Sequence, residues 1–181
     1  MNSAIDDLMH EHGAILEMLR VVNGIAGLLE RGGAVDEGDI SDMLGFLKVF
    51  ADRCHHGKEE VYLFPALSRA GISGQDVSIR ALLSEHARGR ELLKAMEAAS
   101  FLKLQPAEFT AAARGYLELF DAHIRKENTI LFPLAEKLLT ERQFEELREA
   151  FDAHEVNVIG QGKHEELHML LGKLVARYAG V

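Results

Sequence analysis

The sequence carries the same helical pattern twice, separated by 68 residues. A histidine, a lysine-glutamate pair and then Leu-Phe-Pro occur over 55–65, and the same residue types recur in the same order over 123–133. A Glu-His pair precedes each copy, first at 11–12 and again at 85–86. A duplication of this kind predicts two helical hairpins of one design, which pack with approximate two-fold symmetry.

Apolar residues recur at spacings of three and four, which is the period of an amphipathic helix. The predicted helical runs cover about 5–30, 37–68, 75–100, 106–139, a stretch from residue 140, and about 161–178. Pro106 suits a first helical turn, and Thr140 with Gln143 is typical of a capping box. Pro65 and Pro133 remove a backbone hydrogen bond, so each is expected to kink its helix or begin its end.

Four long helices joined by short links are expected to pack as antiparallel neighbours. We therefore predict an all-α fold, an antiparallel up-down-up-down four-helix bundle over about 5–138. One or two additional C-terminal helices are expected over about 140–181. A chain of 181 residues has the size of one well-buried core, so we predict a single domain, 1–181.

Composition argues against several classes of function. Cys54 is the only cysteine, which rules out an internal disulfide or a thiolate cluster and suits a reducing cytoplasm. The net charge of −9 argues against binding of nucleic acid. No apolar run approaches the roughly 18–20 residues that span a bilayer, and the N-terminus carries acid where an export signal would carry base. We expect a cytoplasmic protein that binds neither nucleic acid nor membrane.

The repeated motifs place polar side chains at one depth of the predicted bundle. Residues four apart on a helix share a face, so each His-x-x-x-Glu copy presents its histidine and glutamate together. At about 1.5 Å of rise per residue, the earlier histidines fall at a similar level of the antiparallel partner helices. The side chains predicted to meet there are His12, His55, Glu59, His86, His123 and Glu127.

Four imidazoles and two carboxylates in an apolar core need compensating charge, which cations supply. Two-fold symmetry divides them as two histidines for each of two metal ions, with Glu59 and Glu127 bridging the pair. Nitrogen and oxygen ligands without thiolate favour iron or manganese, and zinc less specifically. The alternative is a purely structural bundle in which the histidines and glutamates satisfy one another.

The combined motifs resemble the hemerythrin-like, HHE cation-binding domain family over roughly residues 5–138. They are Leu-x-x-Glu-His-x-x-Ile over 8–15, His-His-Gly-Lys-Glu-Glu with Leu-Phe-Pro over 55–65, Ser-Glu-His over 84–86, and His-Ile-Arg-Lys-Glu-Asn with Leu-Phe-Pro over 123–133. The resemblance implies a four-helix bundle that holds two non-haem iron ions with an oxo or hydroxo bridge, manganese or zinc being less favoured. The implied ligands are His12, His55, Glu59, His86, His123 and Glu127.

Two departures from the oxygen carriers of that family bear on function. The carriers have a second histidine one turn after the third-helix histidine, where this chain has Arg90. They also have an aspartate in a longer spacing where this chain has Glu127. Four histidines and two glutamates look more like the iron-centre repair and stand-alone bacterial members, which casts doubt on reversible oxygen carriage.

The resemblance implies a protein that binds, senses or reduces dioxygen, peroxide or nitric oxide. If it is an enzyme, we expect a di-iron peroxidase-like or nitric-oxide-handling oxidoreductase that works with a redox partner. The alternative is iron buffering, or redox or oxygen sensing, without turnover. In each case the expected ligand is a small diatomic molecule or peroxide.

Further histidines lie near these motifs. His56 is rotated about 100° from the preceding ligand on an α-helix, so we expect it, like Glu60, to face solvent or to stand behind the ligands. The HExxH pattern over 164–168 lacks a third metal ligand downstream, which argues against a zinc protease. A second hypothesis for the last helix is that it caps the bundle and lends His164 or His168 as a fifth imidazole.

Overall fold

The computed structural model describes residues 4–72, 78–160 and 163–181, apart from the side chain of His164. Within these ranges the regular secondary structure is helical throughout, which confirms the all-α prediction. The helices are α1 (Ala4–Glu30), α2 (37–69), α3 (Ile79–Ser100), α4 (106–138), α5 (Glu141–Val158) and α6 (Lys163–Tyr178). The starts of the third and sixth predicted runs, 75–77 and 161–162, lie outside the described residues.

The helix ends carry capping groups that satisfy backbone donors of the first turn. At the start of α2, the Asp36 side chain accepts hydrogen bonds from the backbone N–H groups of Gly38 and Asp39. At the start of α5, Thr140 and Gln143 form the predicted capping box. These local signals therefore define where both helices begin.

Helices α2 and α4 change geometry where the histidine-glutamate motifs lie. Both contain π-helical stretches, which span Leu47–His56 and Glu59–Leu63 in α2 and Glu127–Leu131 in α4. A π turn closes each backbone hydrogen bond over one more residue than an α turn, and such turns are frequent at functional sites. Pro65 and Pro133 follow these stretches, and each helix ends within five residues of its proline, as the sequence predicts.

Two apolar clusters lie on either side of a polar layer. The first cluster draws its residues from 14–29, 40–51, 92–99 and 109–124, with further residues from α6. The second cluster draws its residues from 4–8, 63–67, 82 and 131–139, with further residues from α5. In each of α1 to α4, the histidines and glutamates singled out by the sequence fall where one cluster gives way to the other. Apolar side chains therefore cover the polar layer from both ends.

The last two helices pack on α1 and α2. Asp39 fixes α6, because it accepts a hydrogen bond from the Tyr178 hydroxyl at 2.8 Å and forms ion pairs with Arg177 and, at 3.1 Å, with Lys173. Gly24 on α1 allows the backbone carbonyl of Tyr178 to approach closely, since a Cβ atom at this position would overlap that oxygen. The C-terminal part of the chain therefore supports the first hairpin.

Helix α1 is long and apolar enough, by length and composition, to cross a membrane. Its apolar side chains nevertheless lie mostly inside the fold, and Leu8, Met18, Val22 and Ile25 are completely buried. Packing against the other helices therefore accounts for the apolar character of this helix.

Candidate metal centre

The structure brings together and buries all six side chains that the sequence predicts to meet. The residues that are at most 1% exposed at this level are His12, His55, Glu59, His86, His123 and Glu127. Helices α1 and α3 contribute one histidine each, and α2 and α4 contribute one histidine and one glutamate each. The placement predicted from the duplicated motifs is therefore the one observed.

The carboxylate of Glu127 lies between histidines of the two hairpins. One of its oxygens is 3.3 Å from Nε2 of His12, and the other is 3.2 Å from Nε2 of His123. Its two oxygens thus face two different imidazoles, as they would in a bridging carboxylate.

The carboxylate of Glu59 repeats this arrangement on the other side. Its Oε1 lies 3.8 Å from Nε2 of His55, and its Oε2 lies 3.5 Å from Nε2 of His86. Two groups of four side chains result, each with ligand atoms within 4.8 Å of one another. The groups are His12, His55, Glu59 and Glu127, and Glu59, His86, His123 and Glu127. Both glutamates belong to both groups, so the geometry offers two adjacent positions for cations.

The Nδ1 atom of each imidazole, which points away from the two glutamates, is hydrogen-bonded to an oxygen atom. Each Nδ1 donates a hydrogen bond to a carboxylate or amide oxygen at 2.7 or 2.8 Å. The pairs are His12 with Asn128, His55 with Glu11, His86 with Glu60, and His123 with Glu85. A neutral ring with its proton on Nδ1 presents the lone pair of Nε2 to the interior, which is the form that binds metal ions. Nε2 of His86 and Nε2 of His123 also lie 3.0 Å from each other, so a metal ion would replace the hydrogen bond between them.

The lysine of each motif copy forms an ion pair with one of these carboxylates. This contact gives the repeated lysine a role. Lys58 lies 2.5 Å from one oxygen of Glu11, and Lys126 forms the equivalent ion pair with Glu85. Lys58 is almost wholly buried, and it also contacts Glu155 of α5 at 3.1 Å. Sequence reasoning missed these roles, although the duplicated glutamate before each histidine and lysine before each glutamate carried the signal.

Unpaired polar atoms concentrate at the same place. Among the described residues, the buried side-chain nitrogen and oxygen atoms without a hydrogen-bond partner are Nε2 of His12, both oxygens of Glu59 and both oxygens of Glu127. Buried polar groups are almost always hydrogen-bonded, and leaving one unpaired costs about 1–3 kcal/mol. Two cations between the glutamates would pair all of these atoms, so the residues present fit a two-metal site.

The pKa values reflect the same burial and crowding. Burial raises the pKa of Glu59 well above its ordinary value, and the negative charge of Glu127 raises it further. Burial opposes ionisation of Glu11 as well, but hydrogen bonds from His55 and Lys58 hold the pKa of Glu11 at about 2. Burial lowers the pKa of His55 to about 4. Glu11 is therefore an ionised acceptor behind a neutral imidazole at neutral pH.

Comparison with known proteins identifies the family of this chain. The family model described as the hemerythrin HHE cation-binding domain matches residues 3–135. The chain belongs to the hemerythrin HHE cation-binding family. It is also 27% identical, over 164 residues, to an uncharacterised protein of Mycobacterium bovis and to one of Mycobacterium tuberculosis. The match covers 88% of this chain and 64% of each relative's length. No solved structure matches significantly.

The phenylalanines of the two Leu-Phe-Pro segments cover imidazoles of this HHE domain. Phe132 stacks on the ring of His12, with centroids 5.3 Å apart, and Phe64 stacks on His86 at 5.9 Å. Both phenylalanines are buried. They exclude water from the imidazoles, which strengthens the electrostatic interactions of any bound cation.

Three other predicted residues have definite places. Glu60 accepts a hydrogen bond from Nδ1 of His86, so it stands behind this histidine, which is one of the two positions expected for it. It also forms an ion pair with Arg90 at 2.7 Å. His56 does not face solvent: it is buried at the end of a π-helical stretch, where its ring contacts those of His86 and His123. His168 does not join the six side chains, since its ring lies 6.5 Å from the exposed His10, and the side chain of His164 lies outside the described residues.

We expect Glu85→Ala to weaken metal binding about 10- to 100-fold, because His123 loses the acceptor that fixes its tautomer and orientation. Glu85 is a cleaner target than Glu11, since the loss of Glu11 would leave the buried Lys58 without this partner, whereas Lys126 is about one-third exposed. Competition with a chelator measures the change in affinity. Glu91→Ala on the same helix removes an exposed carboxylate and should leave the affinity unchanged. Equal affinities in the Glu85→Ala and Glu91→Ala proteins would contradict the assignment.

Proposed function

We propose that the chain holds two non-haem iron ions within an antiparallel, up-down-up-down four-helix bundle formed by α1–α4. The observation that carries the proposal is the set of unpaired oxygens on Glu59 and Glu127, which face four imidazole nitrogens at 3.2–3.8 Å. The order of the apolar clusters along the chain supports the bundle. Helices α1 and α3 run from the second cluster to the first, and α2 and α4 run in the opposite direction.

Each iron position would take its ligands from one hairpin and share the glutamates. His12 and His55 would hold one ion, His86 and His123 would hold the other, and each glutamate would give one oxygen to each. Imidazole and carboxylate donors without thiolate suit iron. Dinuclear sites built from inward-facing side chains of helical bundles use the same kinds of donor.

We infer that this centre binds or reduces a small oxidant, namely dioxygen, peroxide or nitric oxide. A pair of iron ions supplies the capacity to exchange electrons with such molecules. Glu59 and Glu127 contribute negative charges that stabilise the more positive oxidation states. The oxygens behind the imidazoles raise the basicity of the rings as ligands. Because every proposed ligand is at most 1% exposed, the surroundings favour a diatomic molecule or peroxide over a larger substrate.

The second candidate function is iron buffering, or redox or oxygen sensing, without turnover. The contact that favours it connects the site to α5. Lys58 lies between Glu11, which holds His55, and Glu155 of α5. A change in the charge of the centre would therefore reach a helix outside the proposed bundle through two ion pairs.

Steady-state consumption of hydrogen peroxide and nitric oxide by the iron-loaded protein distinguishes the two candidates. With an added electron donor, reduction of peroxide to water consumes two electrons and two protons per molecule, and an enzyme repeats this many times. One stoichiometric event per centre would favour buffering or sensing. His86→Ala is the control for adventitious iron, because consumption by the proposed centre should fall in this variant. Uptake of fewer than two iron ions per chain under anaerobic loading would refute the dinuclear centre itself.

A further inference from the structure

A fifth histidine, His56, lies beside the proposed centre and has no role in the six-residue set. It is 3% exposed, and its ring is sandwiched between two other rings. The centroid of His86 lies 4.0 Å away at an interplanar angle of 17°, and that of Phe120 lies 5.3 Å away at 13°. The ring also meets His123 edge-on at 6.0 Å. His56 therefore contacts both histidines of the second iron position.

The nitrogens of these rings converge. His56, His86 and His123 each offer a ring nitrogen, and these atoms lie within 4.8 Å of one another. Two nitrogens bound to one metal at about 2.1 Å can lie up to about 4.2 Å apart, when they are on opposite sides of the ion. The ring of His56 lies parallel to that of His86, so His56 has to rotate out of this stack to aim a nitrogen at an ion held by His86 and His123.

The surroundings of His56 resemble those of His86, with a longer hydrogen bond at the Nδ1 atom of His56. Nδ1 of His56 donates a hydrogen bond to Asp52 at 3.4 Å, as Nδ1 of His86 donates one to Glu60 at 2.8 Å. Arg90 joins these two carboxylates, because its Nε lies 2.7 Å from Asp52 and its NH2 group lies 2.7 Å from Glu60. One guanidinium thus orients the acceptors behind two neighbouring imidazoles. An oriented imidazole with a carboxylate behind its outer nitrogen is the usual arrangement of a metal-ligating histidine.

His56 has no histidine counterpart in the second copy of the repeat. An offset of 68 residues places Ile124 where the second hairpin would have the counterpart of His56, and Ile124 is buried among apolar side chains. A fifth imidazole is therefore available to one iron position and not, by symmetry, to the other.

We propose that His56 is a fifth imidazole ligand of the centre, serving the position formed by His86 and His123. The two positions then differ, with two histidines at the first and three at the second. This inference rests on the proposed dinuclear centre and concerns how its coordination is divided.

Cobalt(II) titration of single-position proteins tests the proposal without any measurement of activity. His12→Ala disables the first position and leaves the second, whereas His86→Ala does the reverse. His56→Leu is then added to each background, and affinity is measured by chelator competition together with the cobalt ligand-field spectrum. We expect His56→Leu to weaken cobalt binding at least about tenfold and to change the spectrum in the His12→Ala background. In the His86→Ala background, His56→Leu should change neither the cobalt affinity nor the spectrum.

Several outcomes would overturn the proposal. Equal losses in both backgrounds would indicate a general packing effect, and no loss in either would show that His56 does not bind the ion. His56→Gln, which keeps a hydrogen-bonding group for Asp52, should reproduce the loss if the imidazole itself is the ligand, and retained affinity would contradict it. His10→Leu, an exposed substitution, is the matched control. If the wild-type chain takes up fewer than two cobalt ions and fewer than two ferrous ions, the dinuclear centre fails and this inference falls with it.

Discussion

Glu127→Ala is expected to abolish binding of both metal ions, whereas His12→Ala should abolish only one. The reason is geometric, because the two oxygens of Glu127 face histidines of different hairpins, at 3.3 and 3.2 Å. Loss of this side chain removes one ligand from each position together with a negative charge that both positions share. Iron per chain after anaerobic loading and desalting measures the effect, which should fall from two to near zero.

Glu136→Ala is the matched control for that substitution. It removes an exposed carboxylate from the same helix, α4, and should leave two iron ions bound. Retention of one iron by the Glu127→Ala protein would mean that this glutamate serves a single position. Retention of two would show that Glu127 is not a ligand, and the proposed bridging arrangement would be wrong.

Glu59→Gln is expected to stabilise the metal-free protein while it prevents metal loading. Burial and the adjacent charge of Glu127 raise the pKa of Glu59 well above its ordinary value, so ionisation of Glu59 is unfavourable in the folded chain. A glutamine is uncharged, has nearly the same shape, and can donate a hydrogen bond to Glu127. When folding raises a carboxyl pKa by one, the chain loses about 1.4 kcal/mol of stability at a pH above both values, and glutamine avoids this loss. Urea unfolding of chelator-treated proteins at neutral pH measures the gain.

The gain should depend on pH in a defined direction. Below the ordinary carboxyl pKa of 4.5, Glu59 is protonated in both the folded and unfolded states, so the two proteins should be equally stable. As the pH rises above that value, only the unfolded chain releases the proton, and the stability of the wild type falls relative to Glu59→Gln. The difference grows until the raised pKa of the folded state is passed. A difference that shrinks with rising pH would contradict the assignment.

Glu60→Gln, at the neighbouring residue, is a control whose effect on stability should have the opposite sign. Burial opposes ionisation of Glu60, but hydrogen bonds from His86 and Arg90 hold its pKa below the ordinary value. Ionised Glu60 therefore stabilises the fold, and this contribution is lost as the pH falls through its lowered pKa. Glu60→Gln should destabilise the protein at neutral pH and approach the wild type in acid.

The sequence alone was sufficient to predict which six side chains would meet. The identical offset between the two His-x-x-x-Glu copies, with a four-residue spacing in each, indicates a shared face and a shared depth. The capping box at Thr140 and the prolines after the motifs also marked helix boundaries correctly. The shared face, the capping box and the helix ends depend on residues close together in the chain, so their spacing in the sequence predicts them.

Contacts between helices were less accessible to sequence reasoning. The roles of Glu11 and Glu85 depend on which imidazole of a neighbouring helix lies opposite each carboxylate, and periodicity does not report that. His56 lies in a π-helical stretch, in which each residue rotates less than the roughly 100° of an α-helix that the expectation assumed. The place of His168 depends on how α6 packs against the first hairpin.

A crystal structure of the protein loaded anaerobically with ferrous iron would test the dinuclear centre most directly, through anomalous scattering at the iron edge. We predict two anomalous peaks about 3.5–4 Å apart, the usual separation in two-metal sites, with Glu59 and Glu127 lying across both. A single peak, or iron bound away from these glutamates, would contradict the account.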